Sequence, residues 1–290
     1  DRAGLPRTLI DRKGPIMKIH DRVTTRNIST LLRAGAALAG LLLSAAVLAG
    51  NGSDPLAPYE EDGPYTTTRH SGGLGCTIYR PRNLGSNHPL IVWGNGTGGT
   101  PTTYGSGLEH WASWGFVVAA ANTSNAGSGD EMLDCIDYLQ NSSYAGNIDF
   151  SKIGASGHSQ GGGGTIMAGR DARITATAPV QPYILGLGHQ TSSQYQQHAP
   201  MLLLSGSLDT LAGPTLNQAP VFSRVDVPVF WATLNGASHF EPVGDFGDYK
   251  AMTTAWWLYQ LSGDSDAASL FTGACSACGL SDWDVERKGL

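Results

Sequence analysis

Positive charge is scarce over most of this sequence. Residues 1–50 hold 8 of the 18 Lys and Arg but only 3 of the 24 Asp and Glu, leaving 10 basic against 21 acidic side chains in the remaining 240 residues. A net charge of −11 there repels phosphate backbones and argues against any role on nucleic acid. Long apolar runs are also scarce. The one stretch of that kind, Ala34 to Gly50, is seventeen residues long and rich in Ala and Gly, at the short limit of a spanning helix. There is no second such stretch to test it against. Cysteine is limited to Cys76, Cys135, Cys275 and Cys278.

What precedes the apolar run gives it meaning. From Met17, the basic residues Lys18, Arg22, Arg26 and Arg33 lead into Ala34–Gly50, and small residues follow. This is the layout of a secretory signal peptide, starting at Met17 and cleaved after Ala49 or Gly50. The rival is an uncleaved anchor. The expectation is therefore an N-terminal extension and signal over 1–50, a Pro-, Gly- and acid-rich leader over 51–75, and one catalytic domain over 76–290. After cleavage the protein is expected to be secreted, extracellular or periplasmic, monomeric and free of stable membrane association. Four cysteines in an exported chain read as two disulfides. Of three pairings, Cys76–Cys135 with Cys275–Cys278 is expected, because the last two are sequence neighbours. A C-x-x-C zinc or redox site is the alternative, but neither further ligands nor a strand-to-helix opening accompanies it.

Downstream, apolar runs alternate with helical patterns. Strands are expected at Pro89–Trp93, Gly115–Ala121, Ile153–Gly157, Ile174–Pro179, Pro200–Ser205 and Val227–Leu234. Helices are expected at Leu108–Trp114, Glu131–Leu139, Gly162–Gly169 and Lys250–Leu261. Such alternation predicts an α/β fold, with a mostly parallel sheet covered by helices on both faces.

One strand runs into "GASGHSQGGGG", Gly154 to Gly164. Gly157-His158-Ser159-Gln160-Gly161 fits G-x-S-x-G, a nucleophile elbow in which a serine sits on a tight strand-to-helix turn. In a chain with 39 glycines the motif alone proves little. Its position at a strand-to-helix junction is what makes it informative. A serine hydroxyl needs a base, and the elbow fold orders its partners as serine, acid, histidine, each after a strand. "MLLLSGSLDT" places Asp209 after one strand, and "VFWATLNGASHF" places His239 after the next. Taken singly, Asp209 could cap a turn and His239 could be a surface residue. Of the other histidines, His20, His70, His88 and His110 precede the serine. His158 abuts it, and its side chain is expected to point away from the same proton. His189 and His198 precede Asp209. Only His239 meets order and position together.

An oxyanion hole requires two converging N–H groups. Gln160, directly after the serine, is expected to supply one. The glycine-rich loop "WGNGTGGTP" is expected to supply the other, from Asn95, with Gly96 or Thr97 as alternatives. The same loop fits G-x-G-x-x-G through Gly94–Gly99, which opens a dinucleotide-binding oxidoreductase as a rival. Against it, Thr100-Pro101-Thr102-Thr103 starts no helix, and the next strand ends at Ala121-Asn122 without an acid for a ribose. A non-catalytic binding protein on a hydrolase fold is the third reading.

These residues resemble the secreted polyesterase, lipase and cutinase branch of the α/β-hydrolases, which includes polyethylene terephthalate hydrolases. The resemblance runs over roughly Ile78 to Leu261. It rests on "GHSQGGGG", on "ATAPVQPY" and on "NGASHF". There are departures. Gln160 stands where the family usually has Met, and Tyr183 where a substrate-stacking Trp is usual. The oxyanion-loop aromatic is missing, with Asn95 nearest its place, and the cysteine arrangement differs. The resemblance implies an α/β-hydrolase without a large lid domain, acting on carboxylic esters and, at its furthest extension, on polyesters. It implies Ser159 as nucleophile, Asp209 and His239 as its partners, Tyr183 against the acyl group, and neither metal nor organic cofactor.

Overall fold

The structure, a computed structural model, describes residues 54–290. The signal segment and the start at Met17 lie outside the described residues. A single nine-stranded sheet organises the chain, in the order β1-β2-β4-β3-β5-β6-β7-β8-β9. Its strands are β1 (Thr67–Gly72), β2 (Cys76–Pro81), β3 (His88–Gly94), β4 (Val117–Ala121), β5 (Ile148–His158), β6 (Ile174–Val180), β7 (Met201–Gly206), β8 (Val229–Leu234) and β9 (Trp283–Lys288). The six from β4 through β8 in that order are parallel, while β1, β2 and β9 pair antiparallel at the two edges. This is the expected α/β-hydrolase architecture.

The helices are α1 (Ala57–Glu60), α2 (Gly105–Ser113), α3 (Asp130–Gln140), α4 (Gln160–Ala168), α5 (Pro214–Arg224), α6 (Tyr249–Trp257) and α7 (Ser265–Phe271). Successive side chains of a strand point to opposite faces, and both faces of the central strands are apolar. Leu202, Leu204, Phe230 and Ala232 join a core with Trp111 of α2 and Trp256 and Trp257 of α6. Met201, Leu203, Val229 and Trp231 join another with Ile166 of α4 and Val221 of α5. Helix α3 buries Met132, Cys135, Ile136 and Leu139, spaced three or four apart, against Leu90, Val92, Ala119 and Ala155. A sheet buried on both faces explains why its strands read as continuous apolar runs.

The structure corrects three expectations. The segment expected as a leader carries α1 and the edge strand β1, which pairs with β2 from Thr67↔Pro81 to Gly72↔Cys76. The helix Lys250–Leu261 was expected to be the last element, but α7 and β9 follow, and β9 pairs along all of β8. Helix α5 was absent from the sequence pattern; Pro220 inside it and its polar face obscured the period. Both disulfides have the expected pairing. Cys76–Cys135 joins β2 to α3 with Cα atoms 5.9 Å apart, and Cys275–Cys278 closes a short loop with Cα atoms 5.4 Å apart. Among the described residues no helix is long and apolar enough to cross a membrane.

Candidate active site

Parallel strands deliver their following loops to one edge of a sheet, where ligands bind in open α/β folds. Five such loops carry the candidate residues: Asn95–Thr100 after β3, Ser159 after β5, Tyr183 after β6, Asp209 after β7 and His239 after β8. Ser159 has φ 55° and ψ −117°, outside the regions a side chain prefers, at a cost of about 1–3 kcal/mol. The surroundings hold it there. Its N–H donates to Val180 O at 3.0 Å, and its carbonyl accepts from Gly163 N at 3.0 Å and Tyr183 N at 2.8 Å. The flanking glycines are required sterically. A Cβ on Gly157 would meet the Gly94 carbonyl oxygen at 2.7 Å, and one on Gly161 would meet that of Asn95 at 2.7 Å.

The structure brings Ser159, His239 and Asp209 together. His239 Nε2 lies 2.8 Å from Ser159 Oγ, and His239 Nδ1 lies 2.7 Å from Asp209 Oδ2. An ionised carboxylate only accepts, so Nδ1 carries the proton and Nε2 is free to accept from the serine hydroxyl. Asp209 is buried, and its Oδ1 accepts from the N–H groups of Leu211 and Ala212 at 2.8 Å each. Burial alone raises its pKa. The bonds from His239 and the two backbone donors outweigh that and hold the carboxyl below its usual range.

Gln160 opens α4, so its N–H has no partner within the helix. Its buried side chain binds three groups: Oε1 accepts from Thr97 Oγ1 at 2.9 Å, and Nε2 donates to Asn125 Oδ1 and to Leu187 O at 3.0 Å. The Asn95 side chain is turned into the protein interior. It is fully buried, donating to Ala121 O at 2.7 Å and Thr123 O at 2.9 Å and accepting from Trp93 Nε1 at 3.1 Å. It anchors the loop from behind and does not line the cleft, whereas Gly96 and Thr97 do. Gly96 N–H is taken by Tyr104 Oη at 3.2 Å. The loop's other reading, as a dinucleotide cradle, meets a 3₁₀ turn at Pro101–Tyr104 before α2 begins.

Above Ser159 is a cleft of about 580 Å³, within the usual range for small-molecule sites. Tyr183, half-buried, forms part of its wall with Leu187, Leu211, Phe240 and Val243. The lining includes no acidic side chain and no Lys or Arg. Neither disulfide touches it. Neither ring nitrogen of His158 bonds Ser159, although the ring lies close by. Its ring lies 4.7 Å from that of His239, and its Nε2 donates to His239 O at 2.9 Å. Sequence reasoning also missed Tyr104, Phe240 and the cleft-wall leucines. Phe240 was signalled by its place next to His239; nothing in the pattern marked the others.

A family model described as PET hydrolase-like matches residues 56–278. The chain is 31% identical to Cutinase est2 of Thermobifida alba over 179 residues, 58% of each protein. It is 27% identical to Cutinase cut1 of Thermobifida fusca over 272 residues, 83% of each. It is 29% identical over 187 residues to a bis(hydroxyethyl) terephthalate hydrolase of Streptomyces coelicolor, a match covering 61% of this chain and 54% of that relative. For the first of these the match thus spans little more than half of the relative's length.

Proposed function

Since the chain belongs to the PET hydrolase-like family, we propose that it is an exported serine esterase that cleaves carboxylic esters, polyesters among them, by two-step acyl transfer. The observation that carries this reading is the hydrogen-bonded chain Ser159–His239–Asp209 at the floor of an uncharged, apolar-walled cleft. In the proposed mechanism His239 takes the hydroxyl proton as Ser159 Oγ attacks the ester carbonyl. Asp209 holds the imidazole in the required tautomer and stabilises its charged form. The carbonyl oxygen, now negative, is held by the N–H groups of Gln160 and Thr97. Thr97 replaces Asn95 here because it lines the cleft and is tied to Gln160. His239 then protonates the leaving alcohol, the acyl-enzyme forms, and a water activated by His239 releases the acid. Tyr183 is proposed to face the acyl group. The absence of charge from the cleft lining favours neutral esters, and relatives named for cutinase and terephthalate-ester hydrolysis point the same way. The basic-then-apolar layout of residues 17–50 and the two disulfides support export.

Purified protein, without added cofactor, is expected to hydrolyse p-nitrophenyl butyrate and bis(hydroxyethyl) terephthalate. Ser159→Ala should fold normally, with an unchanged thermal melt, and lose on the order of 10⁶ in kcat. Retention of more than roughly a tenth of the activity would remove Ser159 from the nucleophile role.

A further inference from the structure

Tyr104 closes the 3₁₀ turn after the oxyanion loop, 54 residues before His158 in sequence. It is 2% exposed, and its ring packs against Trp93 with centroids 5.0 Å apart. Its hydroxyl nevertheless reaches the active-site floor, where it meets two groups: His158 Nδ1 at 2.8 Å and Gly96 N–H at 3.2 Å. The direction of each bond follows from chemistry. His158 Nε2 faces the carbonyl oxygen of His239 at 2.9 Å, and a carbonyl oxygen only accepts. Nε2 therefore carries the ring proton. The ring is buried and neutral, so Nδ1 is bare and must accept. Tyr104 O–H donates to it, and the hydroxyl's lone pair accepts from Gly96 N–H. Both ring nitrogens and the hydroxyl are thereby partnered.

We propose that Tyr104 is a positioning residue for the reaction, its hydroxyl fixing the oxyanion loop directly and the loop of the base His239 through His158. The proposal rests on the esterase reading above. Two elements far apart in sequence, the loop carrying Gly96 and Thr97 and the loop carrying His239, are thereby held to one tyrosine oxygen and one imidazole. Burial keeps both groups in the required form. Desolvation pushes the Tyr104 hydroxyl up to about 12, so it keeps its proton. Desolvation, reinforced by the neighbouring His239 and opposed by the bond to His239 O and by Asp209, pushes His158 down to about 3, so it stays neutral. Without the hydroxyl, His158 Nδ1 and Gly96 N–H would both be buried without partners.

The test uses the full-length exported protein with Tyr104→Phe, His158→Asn and the double variant. Phe retains the packing of the ring. Asn keeps a group near the Nδ1 position and cannot reach His239 O. On p-nitrophenyl butyrate, Tyr104→Phe should lower kcat by about 10- to 100-fold through displaced donors and base, with KM held within about twofold. Phenylboronic acid, which adds to a serine oxygen as a tetrahedral mimic, should lose affinity by the same factor as kcat/KM. The double variant should fall no further than the weaker single one, because both break the same relay. A packing role alone would shift the melting temperature and leave these ratios alone. Independently of activity, ¹⁵N imidazole shifts of the wild type should show His158 protonated at Nε2 and bare at Nδ1. An unchanged kcat in Tyr104→Phe, additive losses in the double variant, or a wild-type His158 protonated at Nδ1 would each overturn the proposal. A wild type inactive on every ester would instead overturn the esterase reading on which it rests.

Discussion

Gln160 shows how much one side chain next to Ser159 can hold. Its amide ties Thr97 of the loop after β3, Asn125 and the Leu187 carbonyl of the cleft wall to the first turn of α4. Gln160→Met, close in volume, gives up all three bonds and leaves Asn125 and Leu187 short of a donor. The expected cost is about 1–3 kcal/mol in a urea melt, with a several-fold fall in kcat as Thr97 loosens. A Met variant as stable and as active as the wild type would show that these bonds contribute nothing net. At this scale the sequence was legible where order along the chain decides. Ser159, Asp209 and His239 follow successive strands, and strand ends are visible in the apolar pattern. Which N–H of the loop after β3 faces the cleft was not legible, because the fine path of a glycine-rich loop decides it. Tyr104 was illegible because its partner His158 is brought to it only by the parallel pairing of β3 with β5.

Elements buried on both faces were legible, and those at the edges were not. Strands β3 to β8 announce themselves as apolar runs, whereas β9, "WDVERK", buries Trp283 alone and leaves its charged residues mostly outward. That pattern suits an exposed edge, since charge there blocks pairing with another chain. Yet β9 is not ornamental. It backs β8 along its whole length, and Asn235 N–H, at the start of the loop to His239, donates to Asp282 O at 2.9 Å. The two disulfides differ in the same structural way. Cys76–Cys135 spans 59 residues and joins the β2 edge to α3, whereas Cys275–Cys278 spans 3. Loop-closure entropy then predicts that Cys76→Ala with Cys135→Ala costs about 4 kcal/mol, and removing the short bridge about 2 kcal/mol. Thermal melts of the two double variants check the ranking. Equal losses would mean that the unfolded chain is not what the long bridge constrains.

For the molecule as a whole, acid is the expected weakness. Burial is the main cause lowering the pKa values of His158, His70 and His189 in the folded protein. For His158 the folded value is about 3, against about 6.5 in an unfolded chain. Between those limits the unfolded chain binds a proton that the folded one refuses. The stabilisation is complete above about pH 6.5 and is lost as pH falls, at up to about 1.4 kcal/mol per pH unit for this group. Asp209, depressed in the fold, adds a further loss below the ordinary carboxylate range. The melting temperature should therefore drop steadily from pH 7 to pH 4, and His158→Asn should flatten the slope. A wild-type melt indifferent to pH over that range would contradict the burial of a neutral His158. The chain's broad character, one acidic α/β domain, could be read from composition and period, but these individual proton affinities depend on depth of burial, which no linear pattern records. The mouth of the cleft has one more consequence. Leu187, Leu211, Phe240 and Val243 are 51%, 56%, 67% and 42% exposed, so the rim is greasy in water before any substrate arrives. If the proposed esterase acts on a solid ester, such a rim makes adsorption the first event, and the expected rate then follows the geometry of a surface: doubling the film area raises it, while doubling the enzyme on a covered film does not.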